Sequence, residues 1–592
     1  MKKKSFLLIL LISLMIFSFP SLQRNLAGSE NTSPLTTPSI KSLTPYSYID
    51  INDNSGFAGF NGTGSQLDPY RIEDLYIETA GHTGIDITNV DVYFVIQNCY
   101  ITASSGMIIF LHDIADGRFK ILYNNFVSTT EGVIIYNCAQ GLIDHNNFTD
   151  VINPMYVESA NYTVVSNNNV FTDSNGILCD HSQEVQIAYN TIQGSPGVSL
   201  SPECYGANIH DNTFTGGGLL IHPDNVLEEL QSFDINNNYI NGKILGYFID
   251  QKDLEILTPD YGQLYLINCS NAAVVDQVIV GDTGSGNYLY DISLWYCHTV
   301  TLSNSMADYD LYIFIKYSED VSVSDCTATF HTEYCNNISF SGNSGPGMFF
   351  WESYDVLIYD NTMSNGYYGI QTGTIHDFTI QANRFYSNTV GILLPTNANC
   401  TITQNIFENN EERGLWLGSS TNCTISENTF QHEQIAAEIT VFNSTVISNT
   451  FYQNVEALLM IYSRFNNITN NLFQETDSYG ISIQNALSSW NNIHHNTFVD
   501  NNVGGTSQAF DEGPNNTWYE ESTLEGNYWS DFSGTGNYSI DGSSLSFDLY
   551  PLNSPVIPPI PEYQAFSLIW LILIVPFTLV VPYILKTKKN LS

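Results

Sequence analysis

The chain has 592 residues, of which 43% are hydrophobic, 13% aromatic and only 13% charged; a packed core is affordable on that composition, and intrinsic disorder is excluded. Of the 17 Lys and Arg, seven lie at the two ends (Lys2, Lys3, Lys4, Arg24, Lys586, Lys588 and Lys589), so the stretch between sets ten basic residues against all 60 acids, a formal charge of −50. Such a body repels phosphate backbones and offers no basic stripe, which excludes nucleic acid as a partner and suits a solvated surface exposed to salt or divalent cations.

Residues 1–27 carry a basic start and the apolar run Phe6 to Phe19, too short and wrongly flanked for an ordinary span, and read as a secretory signal. Residues 28–46 read as a low-complexity linker, and residues 47–100 as an N-terminal cap with the first coil. The DINDNSG run from Asp50 to Gly56 looks like a calcium loop but lacks the glycine and glutamate placement of one. No cofactor is otherwise called for, and Ca²⁺ is the one ion the acidic body suggests.

From residue 101 to 504 the chain repeats itself. The frame apolar-x-x-Asn-x-Phe recurs at Asn124, Asn146, Asn168, Asn190 and Asn212, each 22 residues on from the last. It returns at Asn361, Asn383, Asn405, Asn428, Asn449, Asn471 and Asn496, with intervals of 22, 22, 23, 21, 22 and 25. A period this long marks a solenoid. Within each unit, short alternations of Ile, Val, Phe and Tyr are broken by Asn, Ser and Gly, with no helical periodicity, so the units are strands and turns. Three short strands and three turns stacked at about 4.8 Å give a right-handed parallel β-helix, an all-β fold, of roughly 17 coils and about 80 Å. The Ile three before each Asn and the Phe two after it are expected to point inward. The Asn is expected to take the left-handed turn and to bond its amide to the next Asn in the stack, a structural ladder.

Residues 241–345 break the rhythm, with irregular units near Asp276, Asn304, Asp325 and Asn343. Insertions in a solenoid map to one face, often the binding face. Aromatic residues concentrate from here to Tyr354, and Trp295, Trp351 and Tyr354 are the candidates for stacking on sugar rings; the alternative is that these aromatics line the inside of broader coils. The ten cysteines permit disulfides in an exported chain. Cys400 and Cys423 hold equivalent places in successive coils with unhelpful side-chain directions, and Cys138, Cys269, Cys297 and Cys335 fall seven or eight before a corner; most read as small buried wall residues. About a dozen N-x-S/T sequons, Asn61, Asn147, Asn161, Asn268, Asn337, Asn443 and Asn537 among them, could carry glycans.

Catalytic signals are sparse. The twelve His form no HxH or HExxH spacing, and no metal site is read. Glu352, Asp355 and Asp360 are the nearest thing to the carboxylate pair a hydrolase needs; Arg118 with Lys120, and Lys316, are the only basic residues that a lyase could use. Residues 505–552 read as a C-terminal cap, 553–564 as a stiff proline spacer, 565–585 as an uncharged membrane helix long enough to cross about 30 Å, and 586–592 as a basic cytoplasmic tail. The same ending also resembles a sorting signal from which the helix is cut.

The repeats, the opening GFNGTGSQLDPYRIEDLYI (Gly59 to Ile77), the closing EGNYWSDFSG (Glu525 to Gly534) and DLYPL (Asp548 to Leu552) resemble the NosD-like right-handed β-helix proteins. That group sits in the class of carbohydrate-binding and sugar-hydrolase β-helices and is abundant among archaeal cell-surface proteins. The resemblance implies terminal caps at Gly59 to Ile77 and around Asp531. The signal and the membrane helix with its lysines place the body outside the membrane, and the expected work is non-catalytic binding of polysaccharide or surface-layer components along the rod. The alternatives are a polysaccharide lyase or glycoside hydrolase on the same fold, and a passive spacer.

Overall fold

The structure is a computed structural model that describes residues 43–128, 131–279, 290–307, 311–557 and 560. Its strands stack in parallel as about 19 turns of a β-helix. In the first stack one sheet of eight strands runs from Ile49–Ile51 to Leu219–Ile221, and a second from Tyr70–Glu73 to Asp234–Asn236. A third wall steps through Asn125, Asn147, Asn169, Thr191 and Thr213 in register. Alternation along each strand sends Ile121, Phe126, Ile143 and Phe148 inward, all fully buried.

The asparagines stand one above another at an inner corner. Asn146 donates from its backbone N–H and its Nδ2 to Oδ1 of Asn168 (2.9 and 3.0 Å) and from Nδ2 to the carbonyl of Ile121 (2.8 Å). The column runs from Asn124 through Asn146, Asn168, Asn190 and Asn212 to Asn238. It runs again from Asn343 through the seven asparagines Asn361 to Asn496, ending at Asn527. The left-handed turn falls one residue earlier than the sequence suggested, on Tyr123, His145, Asn167, Tyr189 and Asp211, and on Asp360, Ala382, Gln404, Glu427, Ser448, Asn470 and His495. The reason is geometric: the left-handed residue throws its own side chain outward, so the next residue alone can fill the corner.

Two further inner columns stand five residues to either side. Asn388 donates to Asn410, Asn410 to Oε1 of Glu433, and the Glu433 N–H to Asn454. On the other side, Ser444 donates to Asn466, Asn466 to Asn491, and Asn491 to Asn516. Cys400 and Cys423 sit lower in that second column, and the Cys423 N–H is taken by Ser444. All ten cysteines are buried free thiols, and burial pushes Cys99 and Cys138 up to about 12. They are wall residues, as their spacing suggested.

The irregular stretch proves to be a junction between two stacks. Tyr239–Ile240 pairs antiparallel with Lys243–Ile249 across Asn241 and Gly242, both with positive φ (50° and 84°), an Asn-Gly hairpin in which glycine supplies the second left-handed position. From there Lys243–Ile249 pairs in parallel with Tyr261–Ile267, and a second stack begins. Its first coils are uneven, spanning 28, 21, 17 and 18 residues, with Gln277, Ser305 and Cys326 standing in for the ladder asparagine. The outer face of these coils covers the end of the first core. Gln263 exchanges hydrogen bonds with the Leu219 backbone (2.9 and 2.7 Å), the Tyr265 hydroxyl donates to the Leu219 carbonyl (2.7 Å) and the Tyr247 hydroxyl to that of Leu230 (2.8 Å).

At the opposite end of the first stack the plug is Phe57, fully buried on the short 3-10 turn Asn54–Phe57 and stacked on Tyr70 at 5.0 Å. The last part of Gly59 to Ile77 is already coil, since Tyr70–Glu73 and Leu75–Thr79 are paired strands. At the C-terminal end, Asp548 takes the place of the next ladder amide, accepting from the N–H of Asn527 (2.7 Å), Trp529 Nε1 (2.9 Å) and the N–H of Tyr550 (3.0 Å). This ties EGNYWSD to DLYPL; Asp531 accepts from Gln508 and Tyr538 beside it. Removing the acceptor with Asp548→Ala is expected to cost about 2 kcal/mol in chemical denaturation, because three donors lose their partner inside the cap.

The segments read as signal, membrane helix and tail lie outside the described residues. Among the described residues no helix is long and apolar enough to cross a membrane.

Candidate functional site

Outward residues of the second stack form rows along its face. One row runs Tyr265, Ser293, Phe314, His331, Phe349 and Gln371, and beside it Ile267, Trp295, Lys316, Glu333 and Trp351. The lower members are sealed under the end of the first stack. Trp295 is only 1% exposed, edge-on to Tyr265 (6.3 Å) and Phe314 (5.8 Å) within a cluster that includes Leu219, Ile221 and Leu230. It is therefore a core residue and no sugar platform. A lone sequence cannot show that one stack will lie across the outer face of another.

Where that cover stops, a cleft of about 550 Å³ opens, lined by Tyr290, Tyr312, His331, Phe349, Trp351 and Tyr367 among others. Strand Met348–Trp351 alternates, burying Met348 and Phe350 and turning Phe349 and Trp351 out. Trp351 leans along the axis onto Gly373, where a Cβ would lie 2.9 Å from its Cε3 and 3.0 Å from its Cδ2. The missing side chain lets the indole lie against the next coil while the residue stays 51% exposed. Tyr367, 63% exposed, stands edge-on to Tyr368 at 4.6 Å on the same rim. Tyr354 is on another face, stacked on His376 at 6.0 Å.

Behind the cleft runs a polar chain. The Tyr312 hydroxyl meets His331 Nδ1 at 2.9 Å, His331 Nε2 meets Glu333 Oε1 at 3.3 Å, and Lys316 Nζ meets Glu333 Oε2 at 2.8 Å. Burial opposes ionisation of Glu333, but hydrogen bonds from His331 and Lys316 and the lysine's charge hold its carboxyl down at about 2. Burial, with Glu333 and Asp224 nearby, pushes Tyr290 up to about 12. Lys316 is thus buried and ion-paired with Glu333. Arg118 lies over the Tyr93 ring at 4.1 Å and Lys120 is an exposed strand residue. Glu352, Asp355 and Asp360 are exposed corner residues with φ of 44°, 50° and 55°. Their spacing reflects the turns of the coil, and they line no part of the cleft.

Among the described residues no three His, Cys, Asp or Glu converge to hold a metal. Asp53 in the calcium-like run caps the 3-10 turn, accepting from the Ser55 N–H at 2.8 Å. His494 and His495 face each other through Nδ1 at 2.5 Å, and their Nε2 atoms are taken by Glu520 (3.3 Å) and Glu525 (2.9 Å). Burial and His495 lower the His494 pKa.

With this geometry the chain is a right-handed parallel β-helix repeat protein. The family described as "Right handed beta helix region" matches residues 49–243, and that described as "Periplasmic copper-binding protein (NosD)" matches residues 269–534; the interval between them contains the second half of the junction. It is NosD-like across the second stack. The copper named in that description does not fit the donor set here, in which the paired histidines are engaged with each other and with glutamates and the thiols are buried. No curated protein matches the chain. Among solved structures it is similar to a family 28 exopolygalacturonase of Yersinia enterocolitica, at 10% identity over 58% of this chain and 73% of that one, with a TM-score of 0.27. It is also similar to the A-module of a mannuronan C-5 epimerase of Azotobacter vinelandii, at 11% identity over 79% and 98%, with a TM-score of 0.18. A third is a tailspike mutant of Escherichia coli bacteriophage HK620 in complex with a hexasaccharide, at 10% identity over 70% and 69%, with a TM-score of 0.19. Overlaps this low carry no function to this chain.

Proposed function

We propose that the protein is a non-catalytic glycan-binding rod, displayed outside the cell by the terminal segments that lie outside the described residues, and that the cleft at Trp351 is its binding site. The observation that carries this is Trp351 itself, a half-exposed indole laid against Gly373 at the rim of an aromatic hollow. Aromatic faces bind pyranose rings through their apolar C–H surface, and the Tyr367 hydroxyl and Gln371 supply hydrogen bonds. The ligand is uncharged, because Lys316, the one lysine or arginine behind the cleft among the described residues, is already matched by Glu333. Among the described residues no pair of carboxylates lines the cleft in the way glycoside hydrolysis requires.

The test is retention on immobilised neutral and acidic polysaccharides, with and without Ca²⁺, with released oligosaccharides measured in parallel. Neutral glycans are expected to be retained without product, and Trp351→Ala to weaken retention at least about tenfold. Gly373→Val, which drives a side chain into the indole, is expected to do the same while Trp351 remains. Release of oligosaccharides would overturn the reading in favour of an enzyme; no retention of any glycan would leave a spacer.

A further inference from the structure

Along another corner of the second stack, five successive coils place Asp355, Asp377, Asn399, Asn422 and Asn443 in the left-handed conformation, with φ between 50° and 57°. Asn and Asp adopt it at little cost. In the next two coils the same corner holds Phe465 (φ 58°) and Trp490 (φ 61°), bulky residues for which that conformation is unfavourable. Burial does not repay the strain, since Phe465 is 50% and Trp490 56% exposed. With Phe442, 42% exposed, they form a column whose ring centroids are 5.2 and 6.5 Å apart.

Arg464 precedes Phe465. Its Nε donates to the Leu487 carbonyl at 2.8 Å, in the coil that carries Trp490, and its backbone bridges to Ser489, the residue before Trp490. The other four arginines among the described residues each have a carboxylate or an aromatic ring as partner. Arg464 makes neither contact among the described residues, in a chain with 60 acids. Below the aromatics the corner continues as amides, Asn443 donating to Asn422 (2.7 Å) and Asn422 to Asn399 (3.4 Å).

We propose that the Phe442, Phe465 and Trp490 corner is a second binding site, independent of the cleft, which takes a carboxylated glycan lying along the axis. Successive coils rise about 4.8 Å, close to one sugar unit, so consecutive residues of the glycan meet consecutive rings and then amides. Arg464 pairs with a sugar carboxylate, a geometry its planar fork favours. The acidic body does not forbid this, because its field is screened beyond about 8 Å at physiological salt.

The experiment uses the full chain produced without N-glycans, probed with polygalacturonate and alginate against the neutral glycans dextran and mannan. The double variant Phe465→Asn and Trp490→Asn gives the corner the residue its neighbours carry. It is expected to melt at the wild-type temperature or above, and to lose acidic-glycan retention at least about tenfold. Arg464→Gln is expected to abolish the preference for acidic over neutral chains and its sensitivity to salt. The cleft reading stands or falls separately, on neutral retention in Trp351→Ala. Acidic retention that survives the double variant would overturn the proposal. So would a fall in its melting temperature, which would make the rings structural, or a dimer of the wild type that the double variant dissociates.

Discussion

Asn405→Ala is expected to destabilise the second stack by about 4 kcal/mol, whereas Asn399→Ala, at an exposed corner of the preceding coil, is expected to cost about 1 kcal/mol, chiefly from placing alanine in a left-handed turn. Asn405 is fully buried. Its Nδ2 donates to the carbonyls of Ile380 (2.9 Å) and Thr403 (3.0 Å) and to Oδ1 of Asn428 (3.0 Å). Its Oδ1 accepts from the N–H and the Nδ2 of Asn383 (2.9 and 3.0 Å). Alanine leaves donors above and acceptors below without partners in a dry corner, at about 1–3 kcal/mol for each group stranded. Asn399 donates to Asp377 at 3.1 Å and accepts from Asn422 at 3.4 Å, both at the exposed surface, where water replaces them. Because a solenoid is coupled mainly through nearest neighbours, the loss should first show as faster amide exchange between residues 380 and 430, before it shows in global unfolding. Equal effects of the two alanines would show that the ladder is not what holds the corner.

Raising the pH from 5 to 9 is expected to weaken the wild type by up to about 4 kcal/mol, and Glu433→Gln to remove that dependence. Glu433 occupies a column position that Asn fills in the coils beside it. It is 1% exposed, receives the Asn410 amide at Oε1 (2.9 Å), and leaves Oε2 without a partner among the described residues. Burial raises its pKa to about 8, against an ordinary 4.5, and the Asn410 bonds only partly offset this. The folded chain therefore holds the proton where the unfolded chain has released it. Its stability is complete below about pH 4.5 and is lost as the pH rises through about 8. At pH 5 the variant and the wild type should melt together; at pH 9 the variant should melt higher. A wild type equally stable at both values would mean that water reaches Oε2.

The repeat, the parallel coil and the buried ladder could be read from Asn124 to Asn496 because each coil must solve the same corner, and the solution recurs every 22 residues or so. The column of Asn388, Asn410 and Asn454 was equally open to reading, five residues after each ladder asparagine, but frames such as NTFQHE and NLFQET hide it by substituting Glu433 and Thr476. The junction also had its signal, Asn241-Gly242 between Tyr239-Ile240 and Lys243-Ile244, but a hairpin is foreign to a parallel coil.

The candidate site divides differently. Trp351, Tyr367 and Trp490 alternate and repeat like buried aromatics, and nothing in a period of 22 distinguishes an outward ring from a covered one. By itself the sequence determined the coil, its inward face and its corner chemistry, since these depend on contacts between neighbouring turns whose spacing is written in the chain. Only the tertiary structure decided that Trp295 is sealed and Trp351 open. That outcome depends on where the end of one stack comes to rest against the outer face of the other, a long-range packing event with no local period to announce it.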